Sequence, residues 1–311
     1  MYYPYFRGKQ FELILLREQA KFLSQTDIIP ILEPVKQNIV GLERVINSFK
    51  AFCTPLILIV NPKEGDLKEN SEIIRDKINE YSNNNQEFYL GYIIDSNTHI
   101  DIIKHFLDDN MNKNIALIHD SYDRPKELVA ALQNYTNIKK HIFLKDKVLY
   151  RKQFNQQNID RILIYNGFKR SKNKDYPAKE FFTELHLTYE EFGLSGFGDF
   201  LIVGDDYLEI GGPAYAVAIH LTYLDDDEVM YIRHFISNSN DKPENPAGKF
   251  KEALDKMITE CDSDETFFKG SAYAEFKDLQ KRGHFPGLGY VKKLSMQHHI
   301  ELIANFLFNH N

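Results

Sequence analysis

The stretch Tyr2–Lys36, YYPYFRGKQFELILLREQAKFLSQTDIIPILEPVK, reads as strand, helix, strand. Residues 2–6 are short and aromatic. Gln10–Ser24 sets Phe11, Ile14, Leu15, Phe22 and Leu23 on one stripe at helical spacing, and 27–35 is apolar and β-branched. Each strand ends in charge: Arg7 and Lys9 after the first, Glu33 and Lys36 after the second.

The same unit recurs. PLILIVN (55–61), FYLGYIID (88–95), NIALIHD (114–120), HIFLKD (141–146), RILIYN (161–166) and FGDFLIV (197–203) bring the strand count to eight. Runs this continuously apolar mark strands covered on both faces, as in parallel sheets. Helical spacing appears between them at Val40–Phe52, Ser71–Tyr81, His99–Leu107, Pro125–Tyr135 and Ala178–Phe192, while 147–160 has room for only a short helix. A repeat of roughly 20–35 residues fits the unit of a (β/α)8 barrel. The expected fold is therefore α/β, a (β/α)8 TIM-like barrel. An open doubly wound α/β sheet is the alternative, disfavoured by the count of eight and by the lack of a glycine-rich dinucleotide turn after any early strand.

The pattern changes after Val203. AYAVAIHLTY (214–223) and EVMYIRHFIS (228–237), joined by LDDD, predict a β-hairpin, and Phe250–Cys261 and Lys292–Phe308 predict helices. One domain over 1–311 is expected, with the barrel over about 1–213 and a C-terminal elaboration over about 214–311.

Composition narrows the function classes. Apolar residues make up 43% and charged residues 27% of 311, as in ordinary globular proteins, and 23 Phe and 18 Tyr can fill a core without Trp. A net charge of −7 argues against an extended nucleic-acid surface. Cys53 and Cys261 are too few for a disulfide framework or a thiolate metal site, and Cys53, at the apolar end of a helix, is expected to be a buried thiol. No apolar run approaches the ~18 residues of a membrane span, and the N-terminus is unlike a signal peptide, so the cytoplasm is the expected location.

In a (β/α)8 barrel the C-terminal strand ends build the site. Those positions hold Arg7 and Lys9, Glu33 and Lys36, Asn61 and Lys63, Asp95 and Asn97, His119 and Asp120, Lys145 and Asp146, Asn166, and Asp199 or Asp205. His119, with Asp120 beside it, is the candidate for proton transfer near neutral pH, with Glu33 as a further catalytic carboxylate. Glu33, Asp95 and Asp120 are the candidate oxygen ligands for Mg²⁺ or Mn²⁺. The loop after the seventh strand carries Lys169, Arg170, Lys172 and Lys174 in an acidic protein, and the loop after the eighth carries Gly204, Gly211 and Gly212. Barrels often hold phosphate with these two loops, so Arg7, Lys9, Asn61, Lys145, Asn166, Lys169, Arg170, Asp199 and Asp205 are candidate contacts for a phosphate-bearing small molecule or nucleotide. His220 and His234 in the hairpin are read as packing or surface groups, and the adjacent His298 and His299 lack the spacing of a helical metal pair.

The opening YYPYFRGKQFELILLRE…IIPILEPV resembles the bacterial and phage "beta protein" family, as do GFGDFLIVGDDYLEIGGPAYAVAIHLTY with IRHFIS, and GHFPGLGYVKKLSMQHHIELI. The blocks span most of the chain, and Arg7, Lys9, Glu33, Asp199 and Asp205 lie in them. The resemblance implies a barrel-like protein of bacterial accessory regions, often beside a nuclease-like companion, and so a role in antiviral defence. It carries no catalytic assignment. Two functions are expected in competition: metal-assisted processing of a phosphodiester or nucleotide, or non-catalytic sensing and docking with the companion, for which the hairpin at 214–237 and the last helix are the candidate surfaces.

Overall fold

A computed structural model describes residues 1–74, 88–156, 158–209, 212 and 215–310. The helix expected over Ser71–Tyr81 falls largely outside these residues, as does Gly211. Contacts divide the chain into two compact units, Met1–Tyr165 with Thr188–Asp199, and Asn166–Leu187 with Phe200–Asn311.

The first unit is the barrel. Strands β1 (Tyr5–Phe6), β2 (Ile31–Leu32), β3 (Leu56–Ile59), β4 (Phe88–Ile94), β5 (Asn114–His119), β6 (Ile138–Phe143), β7 (Asp160–Tyr165) and β9 (Gly196–Asp199) pair in that order. Every pairing is parallel. Tyr2 closes the ring by bridging both Ile28 and Phe197, and the Tyr3 N–H donates to the Phe197 carbonyl at 2.8 Å. Helices α1 (Gln10–Leu23), α2 (Val40–Phe52), α3 (Ile100–Asp109), α4 (Pro125–Leu132) and the single turn α5 (Val148–Arg151) lie between the strands. The barrel is thus the (β/α)8 TIM-like fold that eight apolar runs separated by helical stripes require.

Alternation along the strands decides which side chains can meet. Tyr3, next to β1, lies under the Lys140 ammonium of β6, which also sits 4.8 Å from the Tyr89 ring of β4. Strands one, four and six are not neighbours, so these side chains point into the lumen. Counting by twos along the paired registers, Tyr5, Ile31, Ile57, Gly91, Ala116, Ile118, Ile162 and Gly198 also point inward. The intervening residues face the helices: Tyr92 of β4 stacks on Phe106 of α3 with ring centroids 4.2 Å apart.

Two turns set the strand ends. Gly8 has φ +57°, and a Cβ there would lie 3.1 Å from the Glu33 carbonyl, so a glycine lets the chain turn over the end of β2. The buried carboxylate of Glu12 then accepts from the Arg7 and Lys9 N–H groups and starts α1. Cys53 corrects an expectation: it is exposed, because it caps the C-terminus of α2 in the left-handed conformation (φ 53°) rather than continuing the apolar stripe.

The second unit holds a three-stranded antiparallel sheet ordered β10 (Ala218–Leu224), β11 (Met230–Ile236), β8 (Lys179–Thr183), with helices α7 (Pro246–Ser263), α8 (Ser271–Arg282) and α9 (Leu288–His310). The hairpin is β10–β11 as expected. The helix expected over Ala178–Phe192 is instead β8 followed by the turn α6 (Leu185–Thr188). Phe181 pairs with Tyr231 and Glu180 with Ile232, so an edge of sheet drawn from far along the chain overrides local helical spacing. Ile219, Leu221 and Tyr223 pack with Leu254, Met257, Phe276 and Leu294 of the helices in one apolar core. Among the described residues no helix is long and apolar enough to cross a membrane.

Candidate functional site

At the C-terminal ends of β1–β5 the structure brings five expected groups into one chain of contacts. Arg7 Nε lies 3.7 Å from Glu33 Oε2, which also accepts from Tyr5 Oη at 2.8 Å. Glu33 Oε1 accepts the Lys63 N–H at 2.8 Å. Lys63 Nζ reaches Asp120 Oδ2 at 2.6 Å and Asp95 Oδ2 at 3.1 Å. Arg7, Glu33, Lys63, Asp95 and Asp120 therefore converge on one mouth, as barrel closure demands.

The charges of this mouth lie opposite one another, Lys63 against two aspartates and Arg7 beside Glu33, while Arg7 Nε itself makes no hydrogen bond among the described residues. Burial pushes the Glu33 carboxyl above its usual range, against the pull of the Lys63 N–H, the Tyr5 hydroxyl and Arg7. Burial works against the Lys63 charge, yet Asp120 and Asp95 outweigh it and hold its pKa above the ordinary lysine value. Burial likewise opposes ionisation of Asp95, and Lys63 and Thr98 outweigh it and lower that pKa. Both cations face carboxylates, Lys63 within hydrogen-bond distance and Arg7 at 3.7 Å. The mouth does not fit a divalent ion. Both Glu33 oxygens accept protein donors, the Lys63 ammonium stands between Asp95 and Asp120, and among the described residues no three His, Cys, Asp or Glu groups gather for a metal.

Other expected residues take different places. Asn61 spends both ends of its amide on the Ile93 backbone, at 2.8 Å each, and prolongs the β3–β4 ladder. Lys145 is exposed in the loop after β6. Lys9 lies at the start of α1.

His119 corrects an expectation. It is one residue out of phase with Ile118 and Asp120, so it points outward beneath α5. There Nδ1 meets Tyr150 Oη at 2.7 Å and Nε2 meets His141 Nδ1 at 2.9 Å, among Phe143 and Phe154. Burial, then the neighbouring His141, drives its pKa well below the usual histidine range, so it is neutral rather than poised at pH 7. Asp120 turns to Lys63 instead of flanking it. Asp199 shares the outward phase: it is buried and accepts from Tyr2 Oη at 2.7 Å.

The second unit contains a site that the sequence shows only in part. A cavity of about 220 Å³ is lined by Phe168, Arg170, Ser171, Asn173 and Tyr176 from the segment after β7, and by Ile202 and Val203 from the segment after β9. Val217 just before β10, Ala218 and His220 of β10, and Leu288, Val291, Lys292 and Ser295 of α9 complete it. Of the expected ligand residues only Arg170 lines this space. Lys169 is largely exposed and reaches Glu180 at 3.8 Å. A Cβ on Gly204 would lie 3.6 Å from Asn166 Oδ1, so the segments after β7 and β9 run close together. Asp205 is half-buried and is not among the lining residues.

The loop is held rather than loose. Tyr176 Oη accepts the Ser171 N–H at 3.1 Å, and Asn173 Nδ2 donates to the Ala216 carbonyl at 2.8 Å.

One wall of the cavity is chemically unusual. His220 and His234 are directly opposite on β10 and β11, and their Nδ1 atoms are 2.6 Å apart. His234 Nε2 lies 3.1 Å from Glu180 Oε1 on β8. Tyr176 stacks on His234 at 4.5 Å and meets the His220 ring edge-on at 4.8 Å. Both rings pack against Tyr176, as expected of packing groups, and they are also bonded to each other. The signal was in the hairpin: a turn centred on residue 227 sets 220 against 234. Glu180 was hidden because β8 reads as helix.

No family model matches the chain, and a search of curated proteins finds no match.

Proposed function

We propose that this TIM-barrel protein binds a small phosphate-bearing molecule, such as a nucleotide, in the cavity of its second unit. The observation that carries the reading is the pairing of Arg170 and Lys292 on one small cavity with three neutral polar side chains, Ser171, Asn173 and Ser295. Guanidinium and ammonium groups form charge-assisted hydrogen bonds with phosphate oxygens, and hydroxyl and amide groups supply weaker donors. The remaining wall of Phe168, Tyr176, Ile202, Val217 and Val291 suits the apolar or aromatic portion of such a ligand. The likeness to the beta protein family adds the setting we favour, a ligand made or consumed during antiviral defence.

Titration calorimetry with inorganic phosphate and with adenosine monophosphate tests this reading. Arg170→Ala and Lys292→Ala are each expected to weaken binding about tenfold or more, since a hydrogen bond to a charged group is worth about 1.5–3 kcal/mol. Lys145→Ala, exposed in the barrel, is expected to leave affinity unchanged. Equal affinities for all four proteins would refute the assignment.

A further inference from the structure

Glu180, His234 and His220 form a row across β8, β11 and β10 that ends at the cavity. Proton accounting fixes their tautomers. The Glu180 carboxylate only accepts, so His234 donates to it through Nε2–H. Neutral His234 then has a bare Nδ1. The 2.6 Å contact between the two Nδ1 atoms needs one proton, and it must come from His220. That leaves His220 with a lone pair on Nε2, while its Nδ1 is turned away to His234. An imidazole so oriented by a second imidazole and a carboxylate is the arrangement of an activated base.

We infer that His220 is the general base for hydrolysis of a phosphate ester held in this cavity, with His234 and Glu180 as positioning residues. The inference rests on the phosphate-binding reading above. A water in the cavity gives its proton to His220 Nε2 as its oxygen forms a bond to phosphorus. The bond from phosphorus to the ester oxygen breaks, and the departing oxygen takes the proton back from His220. Water and ester become phosphate and alcohol, with no change in oxidation state. Arg170 and Lys292 stabilise the charge that gathers on the phosphoryl oxygens.

The charge state agrees with these tautomers, while the lowered pKa leaves His220 a weaker base than an ordinary imidazole, so the proposal rests on the geometry. Burial, then His234, then Lys292 hold His220 well below the ordinary imidazole range, and burial outweighs Glu180 in lowering His234. Both rings are therefore neutral at pH 7, as the tautomer argument requires. Among the described residues, the charged and titratable groups around the pair are Glu180, Tyr176, Lys292 and Arg170, with Lys169 on the far side of Glu180. A proton arriving on His220 is met through His234 by the Glu180 carboxylate.

The test uses the full chain with bis(4-nitrophenyl) phosphate and 4-nitrophenyl phosphate as probes, alongside inorganic phosphate binding. Saturable release of nitrophenol is expected from at least one ester. His220→Asn is expected to lower kcat about a hundredfold, within the usual range for a lost general base, with phosphate affinity within threefold of wild type. His220→Gln serves as the second variant should Asn fold poorly. Glu180→Gln keeps an oxygen for His234 but removes the charge. It is expected to lower kcat about tenfold at unchanged KM and to move the acid limb of the kcat profile to lower pH, which a packing role would not do. Phosphate binding without turnover of either ester, or wild-type kcat in both His220 variants, overturns the base and leaves the binding reading standing. Absence of phosphate binding overturns both.

Discussion

Gly198→Ala is expected to destabilise the barrel by about 3 kcal/mol or more, at the upper end of the cost of overpacking a core. A Cβ at this position would lie 2.0 Å from the Tyr3 carbonyl oxygen and 2.6 Å from Ile164 Cδ1. The first of these is backbone and cannot swing aside. It belongs to the segment that closes the ring, where the Tyr3 N–H donates to Phe197 and the Phe197 N–H to Met1. β9 must therefore move away from Tyr3, and the closing bonds lengthen or break. For a unit of this size the loss corresponds to a fall in Tm of roughly 10 °C, read by circular dichroism. Gly212→Ala, with nothing among the described residues within 4 Å of its added Cβ, is the control and should melt like wild type. An unchanged Tm in Gly198→Ala would mean that the ring is not closed through Tyr2 and Tyr3.

Acid is expected to destabilise the barrel through two buried histidines. His119 and His141 are bonded to each other under α5, and His141 Nε2 is buried without a partner. Burial, helped by the field of Arg161, lowers the His141 pKa to about 3, and His119 also lies well below its usual value. In the unfolded chain both take up a proton below about pH 6.5. A histidine whose folded pKa is depressed contributes stability that is fully present above 6.5 and is lost as pH falls towards the folded value. The slope is about 1.4 kcal/mol per pH unit for such a ring, so His141, held at about 3, accounts for about 2 kcal/mol by pH 5, and His119 adds to this in the same direction. Urea unfolding should therefore show lower stability at pH 5 than at pH 7, and His141→Leu should shrink that difference by about 2 kcal/mol. Equal stability at the two pH values would show that the pair is already open to water.

The barrel was legible because parallel strands covered on both faces leave long apolar runs, and eight of them stand out from 311 residues. The same property hid the phase. In NIALIHD four successive positions are apolar, so nothing local says whether His119 or Asp120 points inward. That is settled by pairing with β4 and β6, where Ile118 meets Ile93 and Ile142. Arg7, Glu33, Lys63, Asp95 and Asp120 share the inward phase and gathered as expected; His119 and Asp199 do not.

In the second unit, the basic loop pointed to Arg170, but its cavity needs Lys292 and Ser295 from the last helix, which no local pattern links to residue 170. Glu180 was lost for a related reason. Its segment has helical spacing, and only the antiparallel edge offered by β11 makes it a strand. Contacts between distant segments, rather than composition, separate the readable part of this molecule from the rest.

The most direct test of the ligand assignment is diffraction from crystals grown with tungstate, a phosphate mimic with a strong anomalous signal. The account predicts a peak within hydrogen-bonding distance of the Arg170 guanidinium and Lys292 Nζ, beside His220. A cavity without the anion, with the peak instead at Arg7 and Lys63 on the barrel mouth, would contradict it.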